Sequence, residues 1–243
     1  MRRLTRTPLP ARTSAFLDRC QSRADTLHEQ GGLDIEREWR NARQRKALTD
    51  VLDTLRTMSG PHGRCMYCTD SHGCDIEHFR PKKPCPAHAF HWLNLLLCCT
   101  TCNRKKGDQF PTSNGSPLLI DPTVDDPWEH LDFEPDSGLI KARYDARTDQ
   151  RSPKGLETVR LLALDRREVT VGHSKTFRRL KKTIERALDA DMPAPALIEE
   201  LREEDDHGLL PWCFGDIGRT VEPFCTLRAY DPETWAACEA ALR

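Results

Sequence analysis

Apolar residues recur at helical spacing near the start of the chain. The residues that repeat at steps of three and four are Ile35, Trp39, Ala42, Leu48, Val51, Leu52 and Leu55. This spacing predicts one helix over residues 33–58, because it places the apolar side chains on one face. The segment Gly-Pro-His-Gly at 60–63 ends the predicted helix. Residues 1–13 are basic and interrupted by proline, which indicates an extended arm.

The second half of the chain shows the same helical period. Apolar positions predict helices close to residues 156–164, 171–188 and 196–205. A last helix starts at Asp231-Pro232, with the aspartate as N-cap and the proline at the first helical position. These residues therefore predict a largely helical C-terminal region.

Short apolar runs replace the helical period between these two parts. Residues 93–99 predict a strand, and residues 131–142 predict a hairpin with its turn at 135–138. No internal repeat or low-complexity linker divides the 243 residues, a length that could form one domain or two. We therefore predict one α+β body in which helices surround a small centre.

Cysteine is abundant, with eleven residues in the chain. The odd number, the Cys-x-x-Cys pairing and the lack of an apolar signal segment argue against a secreted disulfide scaffold. No apolar run has the length that a membrane-spanning helix requires. The composition therefore predicts a cytoplasmic protein without a membrane segment.

Two Cys-x-x-Cys pairs, Cys65/Cys68 and Cys99/Cys102, stand out among these cysteines. Two thiolate pairs at this spacing fit a tetrahedral Zn²⁺ site, which is structural because four sulfurs leave no open coordination position. Buried free thiols and a redox-active pair are the alternatives, and the double pairing favours zinc. Cys98 adjoins the second pair and is most simply a small buried residue.

Residues that a structural zinc site does not require surround these pairs. The motifs Glu-His-Phe-Arg-Pro-Lys at 77–82, Trp-Leu-Asn-Leu at 92–95 and Cys-x-x-Cys-Asn-x-x-Lys-Gly at 99–107 resemble those of HNH endonucleases. The resemblance is to the zinc-containing ββα-metal type of this family. It implies a small zinc-stapled ββα-metal core embedded in a mostly helical α+β body.

The resemblance divides the chain into three predicted regions. An N-terminal arm and helix occupy residues 1–60, and the HNH core with its structural zinc occupies residues 61–112. A hairpin and a helical region at residues 113–243 pack on that core.

The resemblance also implies roles for four residues. His78 is the general base, and Asn94 braces the intervening loop. Glu77 and Asn103 bind a catalytic Mg²⁺ or Mn²⁺, although Glu77 stands where aspartate is commoner in the family. Phosphodiester hydrolysis is consistent with this set, because a neutral imidazole near its usual pKa can take a proton from water at pH 7. Carboxylate and amide oxygens suit a hard divalent cation.

Basic residues cluster near these motifs, although the formal net charge of the chain is only −1. Residues 79–107 contain six Lys or Arg residues and no Asp or Glu. The four that we expect to hold the phosphates of a nucleic acid are Arg80, Lys82, Lys105 and Lys106. A solvated basic face is the alternative.

Two later segments extend the resemblance. Residues 119–133 and 157–166 are similar to the segments after the core in the PtuB-like group, the HNH proteins associated with retron and Septu defence systems. This resemblance implies a nuclease of antiphage defence that works beside a partner ATPase. Its expected substrate is nucleic acid, with DNA favoured over RNA.

The same residues allow other interpretations. The chain could be a non-catalytic zinc module that binds nucleic acid or a protein, although such a module does not need Glu77, His78 and Asn103. Asp121, Asp125 and Asp126 could be mistaken for a carboxylate metal cluster. Their setting between prolines instead predicts turns in which the side chains cap backbone N–H groups.

Overall fold

Helices form most of the regular structure in the computed structural model, which describes residues 1–243. The ten α-helices are α1 Ala11–Glu29, α2 Ile35–Arg43, α3 Lys46–Met58, α4 Thr100–Lys106, α5 Pro153–Leu162, α6 Arg167–Asp189, α7 Ala194–Glu204, α8 Leu210–Cys213, α9 Phe224–Tyr230 and α10 Pro232–Leu242. The eight strands form four separate antiparallel pairs. These pairs are β1 Asp75–His78 with β2 Leu95–Cys98, β3 Thr112–Ser113 with β4 Ser116–Pro117, β5 Leu131–Glu134 with β6 Leu139–Ala142, and β7 Tyr144–Asp145 with β8 Gln150–Arg151.

The N-terminal region differs from its prediction. The arm ends at Pro10, and α1 then occupies residues that showed no apolar period, because its buried positions include the polar Thr13 and Gln21. The single helix predicted over residues 33–58 is two helices, α2 and α3. Its interruption lies at Arg45, whose backbone is extended.

The C-terminal region agrees with its prediction at most elements. The hairpin is β5–β6, and the predicted helices are α5, α6, α7 and α10. Asp231 caps α10, since its carboxylate accepts a hydrogen bond from the backbone N–H of Thr234 at 3.0 Å. The short helices α8 and α9 were not predicted.

One contiguous hydrophobic core joins all parts of the chain. It contains buried side chains from each of the predicted regions 1–60, 61–112 and 113–243. The aromatic residues Trp212, Phe214 and Trp235 of the C-terminal region belong to this core. No helix combines the length and the apolar character that crossing a membrane demands.

A two-stranded unit with one helix lies at the centre of the chain. His78 at the end of β1 pairs with Leu95 at the start of β2. Helix α4 follows β2 and packs against β1. Gly107 ends α4 with a φ of 51°, a conformation that glycine adopts without strain. The order of β1, β2 and α4 along the chain is thus strand, strand, helix, the order that the resemblance implies.

Candidate active site and metal centre

The four paired cysteines converge at one buried point. The Sγ atoms of Cys65, Cys68, Cys99 and Cys102 all lie within 4.8 Å of one another. Cys68 and Cys99 have their sulfurs 3.9 Å apart. Tetrahedral zinc with Zn–S bonds of about 2.3 Å requires sulfurs about 3.8 Å apart. The cluster can therefore hold a metal such as zinc, and its four sulfurs fit that ion.

The remaining nearby cysteines lie outside this cluster. The sulfur of Cys98 is 4.0 Å from that of Cys65, but its thiol donates to the carbonyl oxygen of Cys99 at 3.3 Å. Cys74 is exposed and contacts Thr100. The Cys-x-x-Cys spacing therefore identified the four cysteines whose sulfur atoms lie together.

Arg166 adds a positive charge beside the cluster. Its Nη2 group lies 3.6 Å from the Cys102 sulfur, and Nη1 donates to the carbonyl oxygens of Leu162 and Ala163. Four thiolates around one Zn²⁺ carry a net negative charge, which a guanidinium at this distance offsets. The sequence offered no signal for this contact, because Arg166 is 64 residues away from Cys102 in the chain.

His78 is buried at the end of β1 with a defined hydrogen-bond partner. Its Nε2–H donates to the carbonyl oxygen of Ala89 at 3.0 Å, which leaves the Nδ1 lone pair without a protein partner. Although it has no hydrogen-bond partner, the Nδ1 atom is not fully buried, so it keeps contact with solvent. The imidazole can therefore accept a proton only at Nδ1.

The pKa of His78 lies below the usual histidine value, which the sequence led us to expect. Burial first, and then the positive charge of Lys82, lower the pKa of His78 to about 3. His78 is consequently neutral at pH 7, as a general base must be, but it binds a proton more weakly than predicted. A negative charge placed next to the ring would raise this pKa.

Glu77 and Lys106 form a buried ion pair behind His78. The Nζ group of Lys106 donates to Glu77 Oε1 at 2.6 Å and to the His78 carbonyl oxygen at 2.8 Å. Because the Lys106 side chain is fully buried, it cannot contact a nucleic acid, and the prediction that it binds phosphate is wrong. The second carboxylate oxygen of Glu77 has no hydrogen-bond partner and is free to bind a cation.

Two asparagines complete the unit. The Asn94 Oδ1 atom accepts from the backbone N–H of Arg80 at 2.7 Å, while Nδ2 donates to the carbonyl oxygens of Arg80 and His88. Asn94 thereby ties together the two ends of the loop between β1 and β2. Asn103 lies one helical turn before Lys106, on the same face of α4. Its amide makes no hydrogen bond within the protein, so its oxygen is available as a ligand.

The other three basic residues have different surroundings. Arg80 is half-buried, with its guanidinium 5.2 Å from the centre of the Phe110 ring. Lys82 forms an ion pair with Glu36 at 3.2 Å, and Lys105 is exposed without an ionic partner. Arg80 and Lys105 are thus the two predicted phosphate-binding residues that no acidic group neutralises.

The aspartates at 121–126 shape turns, as predicted. Asp121 accepts from the backbone N–H of Thr123, and Asp126 accepts from that of Trp128. Asp125 pairs with Lys154 at 2.8 Å. No carboxylate metal cluster forms there.

Known proteins share similarity with much of this chain. It is 31% identical over 197 residues to the Septu protein PtuB of Bacillus mycoides (strain KBAB4). The aligned segment covers 68% of this chain and 62% of that protein. It is also 37% identical over 82 residues to the Septu protein PtuB of Bacillus thuringiensis. That aligned segment covers 32% of this chain and 31% of that protein. The chain thus spans less than two thirds of the length of these relatives. No family model matches the chain. The two similarities support the Septu resemblance that the sequence motifs indicate.

Proposed function

We propose that the protein is a metal-dependent HNH endonuclease that hydrolyses phosphodiester bonds of nucleic acid, with DNA favoured. The observation that carries this proposal is the state of His78. A neutral imidazole is anchored through Nε2–H to the carbonyl oxygen of Ala89, and its Nδ1 atom has no hydrogen-bond partner in the protein. A zinc-stabilised binding module has no use for such a base.

His78 takes the proton of the attacking water in this mechanism. The water oxygen attacks phosphorus, its proton moves to Nδ1, and the bond from phosphorus to the leaving oxygen breaks. The leaving oxygen then takes a proton from solvent and departs as the alcohol. The Ala89 carbonyl keeps its hydrogen bond to Nε2–H throughout, so the ring does not turn. The negative phosphate next to the ring raises the pKa of His78 and strengthens the base once substrate is bound.

Glu77 and Asn103 are the residues that would hold Mg²⁺ or Mn²⁺. Their free carboxylate and amide oxygens are the donors that such cations prefer. When bound, the cation would stabilise the negative charge of the phosphoryl and leaving oxygens. Lys106 holds the other oxygen of Glu77 and fixes the orientation of the carboxylate. Asn94 keeps the loop closed, and the four-cysteine zinc site holds α4 in position.

Arg80 and Lys105 are the residues proposed to bind flanking phosphates, since neither is neutralised by an acid. Lys82 would contribute only after it leaves Glu36. The similarity to Septu proteins supports a place for this nuclease in antiphage defence, where we propose that it works with a partner ATPase.

Cleavage assays test the proposal. Purified protein should cut plasmid DNA in the presence of Mg²⁺ or Mn²⁺ and lose this activity in EDTA, and an RNA substrate tests the preference for DNA. The same assays with the ATPase encoded beside the gene test the partner. If nucleic acid is bound but never cut, with or without that ATPase, the non-catalytic zinc module is the correct description.

A further inference from the structure

Helix α2 lies along the strand that carries His78. Three of its side chains contact β1 or the residues just after it. Glu36 pairs with Lys82 at 3.2 Å, Trp39 packs on His78, and Arg43 pairs with Asp75 at 3.4 Å. These positions are three and four residues apart, so they share one face of α2. This face is therefore fitted to the strand of the proposed base.

Trp39 makes the closest aromatic contact with the His78 ring. The two ring centres are 4.3 Å apart and the ring planes are inclined by 70°. Trp39 is 5% exposed, and its other aromatic neighbour is Phe90 at 5.4 Å. An edge-to-face contact of this kind restricts the rotation of the smaller ring.

Gln21 of α1 holds the loop that supplies the partner of His78. Its Oε1 atom accepts from the backbone N–H of Phe90 at 2.9 Å, and Nε2 donates to the carbonyl oxygen of Pro86 at 3.1 Å. Phe90 directly follows Ala89, whose carbonyl oxygen accepts the His78 Nε2–H. Gln21 is 5% exposed, so water does not replace these bonds.

We infer that Trp39 and Gln21 are positioning residues for His78: Trp39 fixes the plane of its ring, and Gln21 fixes the Ala89 carbonyl that keeps the proton on Nε2. The inference rests on the proposed function of His78. It gives the two N-terminal helices a role in the active site, which neither the motifs nor the β1–β2–α4 unit contains.

Kinetic measurements on whole-chain variants test this role. Trp39→Leu keeps an apolar side chain but removes the ring edge. Gln21→Leu removes both hydrogen bonds to the loop, together with the bond that Gln21 donates to Asp25 within α1. Each should lower kcat for plasmid cleavage by about 10- to 10²-fold with little change in KM, because a misplaced base slows the chemical step more than binding. Trp39→Phe should recover most of kcat. Trp235→Leu is the control, since Trp235 is also 5% exposed but belongs to α10.

The NMR spectrum of the imidazole nitrogens gives a second reading that does not depend on cleavage. Wild type and Trp235→Leu should show the proton of His78 on Nε2, whereas Trp39→Leu and Gln21→Leu should show a mixture of tautomers. An inactive wild type with this pattern would reject the proposed nuclease and keep the positioning contacts. If both variants retain the wild-type tautomer and kcat, the inference is wrong.

Discussion

The β1–β2–α4 unit and the C-terminal helices are stabilised by different kinds of contact. The unit has strands of four residues, and polar groups are buried in it and at the end of its connecting loop, among them Glu77, His78, Asn94 and Lys106. The four-cysteine cluster adjoins it. The C-terminal helices bury mainly apolar side chains, with several aromatic rings among them. Phe133 lies 5.1 Å from Phe177 between ring centres, and other pairs continue this cluster.

This difference shows how a small unit can be made rigid around a reactive group. The apolar residues of β1 and β2 join the hydrophobic core, while Lys106 and the Ala89 carbonyl oxygen give Glu77 and His78 polar partners inside it. Buried hydrogen bonds fix the backbone of the unit, and a metal ion held by the four cysteines would fix it further, while the second oxygen of Glu77 and Nδ1 of His78 stay without a protein partner. The aromatic cluster can then supply stability without entering the site.

Loss of zinc should have the largest effect and should be confined to the unit. Cys102→Ser should remove the bound zinc, expected at about one ion per chain, and should expose residues 64–107 to hydrogen exchange. Cys74→Ser is the control, because Cys74 is outside the cluster. Zinc retained in Cys102→Ser, or absent from the folded wild type, would contradict the four-sulfur site.

Truncation of a side chain in the aromatic cluster should lower the free energy of unfolding but leave zinc binding intact. Phe177→Ala removes a ring that is 5% exposed and contacts Phe133, Trp212 and Phe224. We expect the free energy of unfolding to fall by about 3–5 kcal/mol. Urea titration measures this loss, and metal analysis below the transition should still find zinc. If the zinc content falls in proportion to the free energy of unfolding, the two regions are not stabilised separately.

Arg166 connects the two regions, and its removal should have a moderate effect. Arg166→Met keeps the apolar stem but deletes the charge beside Cys102, which should weaken zinc binding by about 10- to 10²-fold. Competition with a zinc chelator measures this change. The exposed Arg160→Met serves as the control, and equal zinc affinity in the two variants would leave Arg166 without the assigned role.

His173 should produce the smallest effect, visible only as a function of pH. Burial lowers the pKa of His173 well below its ordinary value. The unfolded chain therefore binds a proton that the folded chain does not, and stability should decrease as pH falls below about 6.5. In His173→Phe this decrease should be shallower, whereas exchange of the exposed His28 for phenylalanine should leave it unchanged. Urea titrations at several pH values compare the slopes.

The sequence predicted local features of the site better than long-range ones. The cysteine spacing identified the four converging sulfurs, and the motifs placed His78 on β1 and Asn103 on α4. The burial of Lys106 and the low pKa of His78 depend on packing between distant segments, which spacing does not record. Trp39 was expected only as a core residue of its helix, because its contact with His78 is a tertiary one.

The most direct test of the proposed site is cleavage by His78→Ala at saturating Mg²⁺. The substitution removes the base but no zinc ligand, so zinc content and folding should match wild type, and nucleic-acid binding should stay within a few-fold. Cleavage should fall by about 10²- to 10⁴-fold, the loss expected for a positioned acid–base group. If His78→Ala cuts as fast as wild type while EDTA abolishes the reaction, His78 is not the base and the proposed mechanism is wrong.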